Sequence, residues 1–190
     1  MRKLIFFMHT SLDGFVAGPD GEMRWITINE EIFDFVGTMT DHADAALYGR
    51  VTYEMMQAYW PTAGDKPDAS KHDKEHAAWY NKVDKIVLST TMSGEGLHNT
   101  TVISGDLAGN INKIKQQAGQ NILIFGSPGA SHSLLAEGLV DEFWLFVSPV
   151  LLGQGIPLFK NVGEITKLEL LEAKTFLGGV VALHYAKKQN

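Results

Sequence analysis

Three short stretches of the chain offer glycine, hydroxyl groups or a cation in ways that suit the phosphates of a nucleotide. Gly126-Ser127-Pro128-Gly129-Ala130-Ser131 follows an apolar run and opens a helical pattern, a junction where free backbone N–H groups and the helix dipole favour an anion. It matches neither G-x-G-x-x-G nor the Walker sequence, so it also reads as an ordinary tight strand-to-helix turn. Gly49-Arg50-Val51-Thr52 occupies the same kind of junction and adds a hydroxyl and a guanidinium that can grip phosphate bidentately. Ser89-Thr90-Thr91 brings three consecutive hydroxyls after a short apolar run; these suit ribose or phosphate, or simply end a strand. Two phosphate-type turns in one chain point to a dinucleotide site.

Other chemistry is narrowed by what the chain contains and lacks. His72-Asp73-Lys74-Glu75-His76 has the H-x-x-E-H spacing of a zinc peptidase class. The segment is strongly charged and no third ligand stands out, so it reads as a solvated helix face and no metal is expected. With no cysteine there is no thiolate nucleophile, disulfide, iron–sulfur ligation or Cys-type zinc site. Sixteen Lys and Arg against twenty-two Asp and Glu leave a formal charge of −6, which argues against nucleic acid as a partner. The longest apolar run, around Trp144 to Gly153, is interrupted by Ser148 and Pro149, well short of the roughly 18 to 20 residues of a membrane span. The stretch Leu4 to Met8 is too short for a signal sequence, so a cytoplasmic protein with no membrane partner is expected.

The elements that must position these residues follow from periodicity and turn chemistry. Lys3 to Met8, almost wholly apolar, predicts a strand buried on both faces, and Thr10 to Arg24, rich in glycine and aspartate, predicts a long ligand-lining loop after it. Asn29 as N-cap, Glu30 and Glu31 in a first turn, and Ile32, Phe33, Phe35, Val36 and Met39 predict a helix. Ala45 to Tyr48 predicts a strand, Tyr53 to Ala58 a helix, Tyr59 to Ser70 a loop, and Lys71 to Asn81 another helix. Short strands at Lys85 to Leu88, Val102 to Ser104 and Asn121 to Phe125 follow, with helices at Leu107 to Ala118 and from the Gly126 turn to near Gly138. Glu142 to Val150, Leu168 to Thr175 and Val180 to Ala186 are β-rich, with Gly178-Gly179 a natural turn. This order predicts a single α/β domain over residues 1–190: a mostly parallel sheet, helices on both faces, and a C-terminal antiparallel hairpin.

In chain order, Ser11-Leu12-Asp13-Gly14, Trp25-Ile26-Thr27, Asp44-Ala45 through Gly49-Arg50-Val51-Thr52, Asp141-Glu142, and Pro149-Val150-Leu151-Leu152-Gly153-Gln154-Gly155 form a pattern. It resembles the reductase domain of riboflavin biosynthesis, the bacterial bifunctional deaminase-reductase C-terminal family, which is similar in fold to dihydrofolate reductase. The resemblance runs over almost the whole chain and implies a central mixed sheet with an NADPH cleft. It implies that Gly49, Arg50 and Thr52 hold the adenosine phosphates, Arg50 favouring NADPH over NADH. Ser89, Thr90 and Thr91 would meet the adenosine end, and Gly126, Ser127, Pro128, Gly129 and Ala130 would cradle the pyrophosphate. The loop from Ser11 to Trp25 would cover nicotinamide and substrate, with Ala17 near the cofactor and Asp13, Trp25, Phe125, Gly153 and Gln154 on the substrate side.

Asp13 is then the first candidate to orient substrate or relay a proton, and Glu30 the second, although Asp-Gly also makes turns and Glu30 and Glu31 also suit a helix dipole. Trp25 either stacks on a substrate ring or closes the loop against the core. The chain departs from the family where Phe125-Gly126-Ser127 replaces the usual Glu-Gly-Gly type sequence, which removes an acid facing substrate. The deaminase zinc signature is absent. The expected function is that of a stand-alone NADPH-dependent reductase acting on a C=N or C=O of a small pyrimidine- or pteridine-like molecule. Its rivals are true dihydrofolate reductase activity and a non-catalytic nucleotide-binding or sensing role. A homodimer is expected from the resemblance and from the open edge that the C-terminal strands would leave.

Overall fold

The computed structural model describes residues 1–160, 162 and 165–188. Its first strand, β1 (Leu4–Ser11), shows why that run is apolar throughout: Ile5 and Phe7 enter one core layer, while Leu4, Phe6 and Met8 enter the other. A strand covered on both faces has no polar alternation to display. In chain order follow β2 (Phe15–Ala17), α1 (Glu30–Thr40), β3 (Ala43–Gly49), α2 (Arg50–Ala63), α3 (Lys71–Lys82), β4 (Asp84–Leu88) and β5 (Thr100–Ile103). The chain continues with α4 (Leu107–Gln116), β6 (Asn121–Phe125), α5 (Pro128–Ala136), β7 (Glu142–Ser148), β8 (Ile156–Pro157), β9 (Leu168–Thr175) and β10 (Val181–Lys187). The main sheet has the order β5-β4-β3-β6-β1-β7-β10-β9. Its strands from β5 to β7 are parallel, and β10 and β9 add antiparallel at one edge.

Helices α1, α2 and α3 cover the face that buries Ile5, Phe7 and Tyr48, and α4 and α5 cover the other. The Asn29 carboxamide oxygen accepts the Ile32 N–H at 2.9 Å, as its N-cap position predicts. Ser70 and Asp73 form a reciprocal capping box on α3, and Asp106 caps α4. No described helix is long and apolar enough to cross a membrane.

Three sequence expectations change. The predicted loop after β1 contains β2, which pairs with β8; such a pairing has no local signature because its partner lies far along the chain. Helix α2 begins at Arg50 and runs on to Ala63 through Pro61, where a loop was expected. Tyr53, Met56 and Trp60, spaced to share one helical face, join the core, and this outweighs the hydrogen bond lost at Pro61 in the last turn. The histidines of His72-Asp73-Lys74-Glu75-His76 do not point into solvent. His72 stacks on Phe33 with ring centroids 3.7 Å apart, and His76 lies against Trp60 and Trp79, its pKa pushed down to about 3 by burial.

Candidate active site

The two glycine turns, far apart in sequence, meet at the C-terminal ends of β3 and β6. The Gly49 N–H donates to Ser127 Oγ at 2.9 Å, so the start of α2 is fastened to the start of α5. Gly126 and Ser127 both hold φ near +56°, and for the serine this conformation costs about 1 kcal/mol or more. The bond to Gly49 helps to hold it there. Helices α1, α3 and α4 each carry a side-chain N-cap, whereas α2 and α5, the two that converge here, have none. Their first backbone N–H groups are left for something else to satisfy. A Cβ added at Gly126 or Gly129 would meet nothing within 4 Å, so the backbone is open to a ligand approaching closely.

On either side of this junction lies a depression. One, of about 360 Å³, is lined by Ser89, Thr90, Thr91, Gly129 and Ala130, and so gathers the third hydroxyl-rich turn to the α5 N-terminus. Ser89 Oγ accepts the N–H groups of Thr91 and Met92 at 3.2 and 3.1 Å, which shapes that turn. The other, an apolar cleft of about 330 Å³, is bounded by Phe7 and His9 of β1, Ala17 of β2, Thr52 and Met56 of α2, and Phe125 to Pro128. Together they form a track with a polar end, a central turn of open backbone N–H groups and an apolar end, with room for a dinucleotide whose nicotinamide would meet a substrate ring in the apolar cleft. Larger depressions, of about 550 and 600 Å³, lie by Arg2 and Lys187 and over α1 and α3, away from both turns. The open backbone N–H groups, not volume, mark the candidate site.

The acids lie elsewhere. Asp13 is exposed and takes the Ser11 hydroxyl at 2.6 Å, the Gly153 N–H at 2.7 Å and the Leu152 N–H at 3.1 Å. These bonds, the Ser11 hydroxyl first, hold its carboxyl below the usual carboxylate range. Its contacts are those of a clamp between the end of β1 and the segment after β7, and it does not line the apolar cleft. Glu30 is exposed in the first turn of α1 and also stands outside the cleft lining. Glu31 accepts the Leu177 N–H at 3.0 Å and so ties α1 to the turn before β10. Gly153 is thus part of the Asp13 clamp, and Gln154 beside it is exposed. Arg50 stands at the α2 N-terminus as expected, with its guanidinium held by Glu54 through bonds of 2.8 and 3.0 Å. Trp25 is partly buried, and its Nε1 finds no hydrogen-bond partner among the described residues.

Sequence reasoning did not single out His9, Met23, Met55 or Met56, all of which line the cleft. For the α2 methionines the available signal was an apolar stripe beginning directly after Gly49, which the shorter predicted helix truncated. A protein-family model described as the RibD C-terminal domain matches residues 2–182. The chain is 32% identical to the Bacillus subtilis protein YyaP over 97% of its own length and 94% of that protein. Among solved structures, one ascribed to riboflavin biosynthesis in Shewanella sp. PV-4 superposes with a TM-score of 0.76 at 24% identity, covering 98% of this chain and 99% of that one. Dihydrofolate reductase from Enterococcus faecalis, solved with NADP(H), superposes with a TM-score of 0.65 at 14% identity, covering 98% and 97%. These two likenesses establish the dihydrofolate reductase-like fold.

Proposed function

This chain belongs to the RibD C-terminal domain family, and on that premise we propose that it is an NADPH-dependent reductase of a small pyrimidine- or pteridine-like molecule, acting in the cytoplasm as a homodimer. The observation that carries the reading is the convergence of two helix N-termini, both without side-chain caps, on one open glycine turn between a hydroxyl-lined depression and an apolar cleft. Bound there, NADPH supplies a hydride from its nicotinamide ring. The α5 N-terminus receives the pyrophosphate through backbone N–H groups, and Ser89 to Thr91 meet the adenosine end. Arg50 exchanges Glu54 for the 2′-phosphate, a stronger charge-assisted partner. Val16 and Ala17 of β2, held down by β8, wall the apolar end. Reduction of a C=N or C=O adds hydride to carbon and a proton to the heteroatom. Among the described residues no carboxylate lines the cleft, so the proton comes from water.

The cleft lining, with no carboxylate among the described residues, favours this reading over true dihydrofolate reductase activity. The homodimer is supported by β9, an edge strand that leaves Leu168, Leu170 and Leu171 exposed. The test is a titration with NADPH and NADH, followed by NADPH oxidation against pterins, aminopyrimidine ribosides and small carbonyl compounds. Tight NADPH binding with turnover of one class supports the reading. Binding without any turnover favours a nucleotide sensor, and failure to bind NADPH rejects both.

A further inference from the structure

The apolar cleft contains one side chain that nothing above uses. His9, near the C-terminal end of β1, lines it, and its Nδ1 is buried without a hydrogen-bond partner among the described residues. The ring is held by aromatic contacts: edge-on to Phe7, with centroids 5.5 Å apart, and tilted against Phe146 at 5.1 Å. An imidazole walled in by phenyl rings loses its hydration and regains no hydrogen bond at that nitrogen, so leucine or phenylalanine would serve the fold better. Burial lowers its pKa to about 4, and the ring is therefore neutral at physiological pH.

Two further orphaned polar atoms belong to the same end of the molecule. In the β1–β7 register His9 stands opposite Phe146 and Ser11 opposite Ser148, so alternation puts His9 and Ser148 on one face of the sheet. Ser148 Oγ is buried and unpartnered, as is Trp25 Nε1 in the turn whose Met23 and Ile26 line the cleft. Among the described residues the lining contains no Asp, Glu, Lys or Arg, but it does contain Met8, Met23, Met55 and Met56. Thioethers adapt to flat rings, and a wall without counter-charge penalises an ionised ligand.

We infer that His9 reads the substrate: its imidazole hydrogen-bonds the amide- or carbonyl-type edge of an uncharged flat ring seated among the methionines, and a ring carrying its own charge is excluded. A neutral imidazole offers one donor and one acceptor, which matches an edge that presents both C=O and N–H. The inference rests on the reading of this cleft as the substrate end of a reductase site, and the experiment separates the two.

The probes are 2-naphthamide and the cationic 2-naphthamidine, which share a ring and differ in charge, titrated into the full chain with NADPH titrated separately. The amide should bind at least about tenfold more tightly than the amidinium, which loses hydration, meets no acidic side chain in the described lining and faces the positive end of α5. His9→Phe should keep or raise the melting temperature, since it removes an unpaired polar group, while weakening the amide by about 3- to 10-fold. His9→Leu repeats the measurement should the larger ring not fit, and His9→Asn, which retains a donor and an acceptor, should restore most of the amide affinity. Equal binding of amide and amidine, no amide binding by the unmodified chain, or amide affinity unchanged in His9→Phe or His9→Leu overturns the inference. Loss of NADPH binding with these amide results intact would instead remove the reductase reading and leave the recognition by His9 standing.

Discussion

Gly126→Ala separates the cost of a backbone conformation from the cost of a blocked ligand. At φ +56° an L side chain is strained by about 1 to 2 kcal/mol, yet its Cβ would meet no atom within 4 Å, so no packing penalty is added. For a chain of this length that corresponds to a melting temperature lower by about 2 to 8 °C. The same methyl group would occupy the approach to the α5 N-terminus, and losing one charge-assisted hydrogen bond to pyrophosphate costs about 1.5 to 3 kcal/mol, or roughly 10- to 150-fold in NADPH affinity. Gly155→Ala is the matched control for steric crowding. Its Cβ would fall 2.2 Å from the Ala17 carbonyl oxygen, forcing β2 from β8, and overpacking with backbone strain should cost about 2 to 6 kcal/mol. Thermal melts and calorimetric titration with NADPH measure both quantities on each variant. Unchanged NADPH affinity in a folded Gly126→Ala protein would refute the placement of the pyrophosphate.

Arg50→Ala removes a partly exposed ion pair with Glu54, so stability should barely change, while NADPH affinity falls by about 1.5 to 3 kcal/mol and NADH affinity does not; equal weakening of both cofactors by titration would reject a 2′-phosphate role. Asp13 has a folded pKa below its unfolded value, so its carboxylate supports the fold above the ordinary carboxylate range and that support fades as the pH falls through the folded pKa. Asp13→Asn should therefore lower the melting temperature near neutrality and narrow its difference from the value in acid. A turnover loss of about 10²-fold or more with unchanged melting would give Asp13 a proton-transfer role instead. Leu170→Lys on the β9 edge should convert a species of twice the 20.9 kDa chain mass into a single chain in sedimentation, and an unmodified protein that sediments as one chain would reject the homodimer.

Much of the frame is local chemistry and was legible as such. A strand apolar at every position had to be covered on both faces, and β1 is; Asn29 caps α1 as its type and place require, and Asn121 to Phe125 forms β6 with the predicted bounds. Two of the three candidate phosphate turns do open helices, at Arg50 and Pro128, because glycine at a strand-to-helix junction states a local preference. Helix α2 was cut short because Pro61 and its polar neighbours outvoted Tyr53, Met56 and Trp60 until a core was present to receive them.

The site itself needed the strand order. The sheet places β6 between β3 and β1, and only that arrangement brings the Gly49 turn to Ser127, 78 residues later, and lays the hydroxyls after β4 beside α5. Asp13 shows the same dependence: its partners Leu152 and Gly153 lie about 140 residues away, and without them an Asp-Gly pair reads equally as a turn, a clamp or an acid. His9 carries no local motif at all, and its meaning comes from an unpartnered nitrogen in a charge-free cleft assembled by β1, β2, α2 and the turn into α5. Sequence determined which segments could open a helix with free backbone N–H groups or form a core, because those preferences act over a few residues. The tertiary structure decided which of them meet, because contacts between distant segments depend on sheet order and burial, which no local window contains.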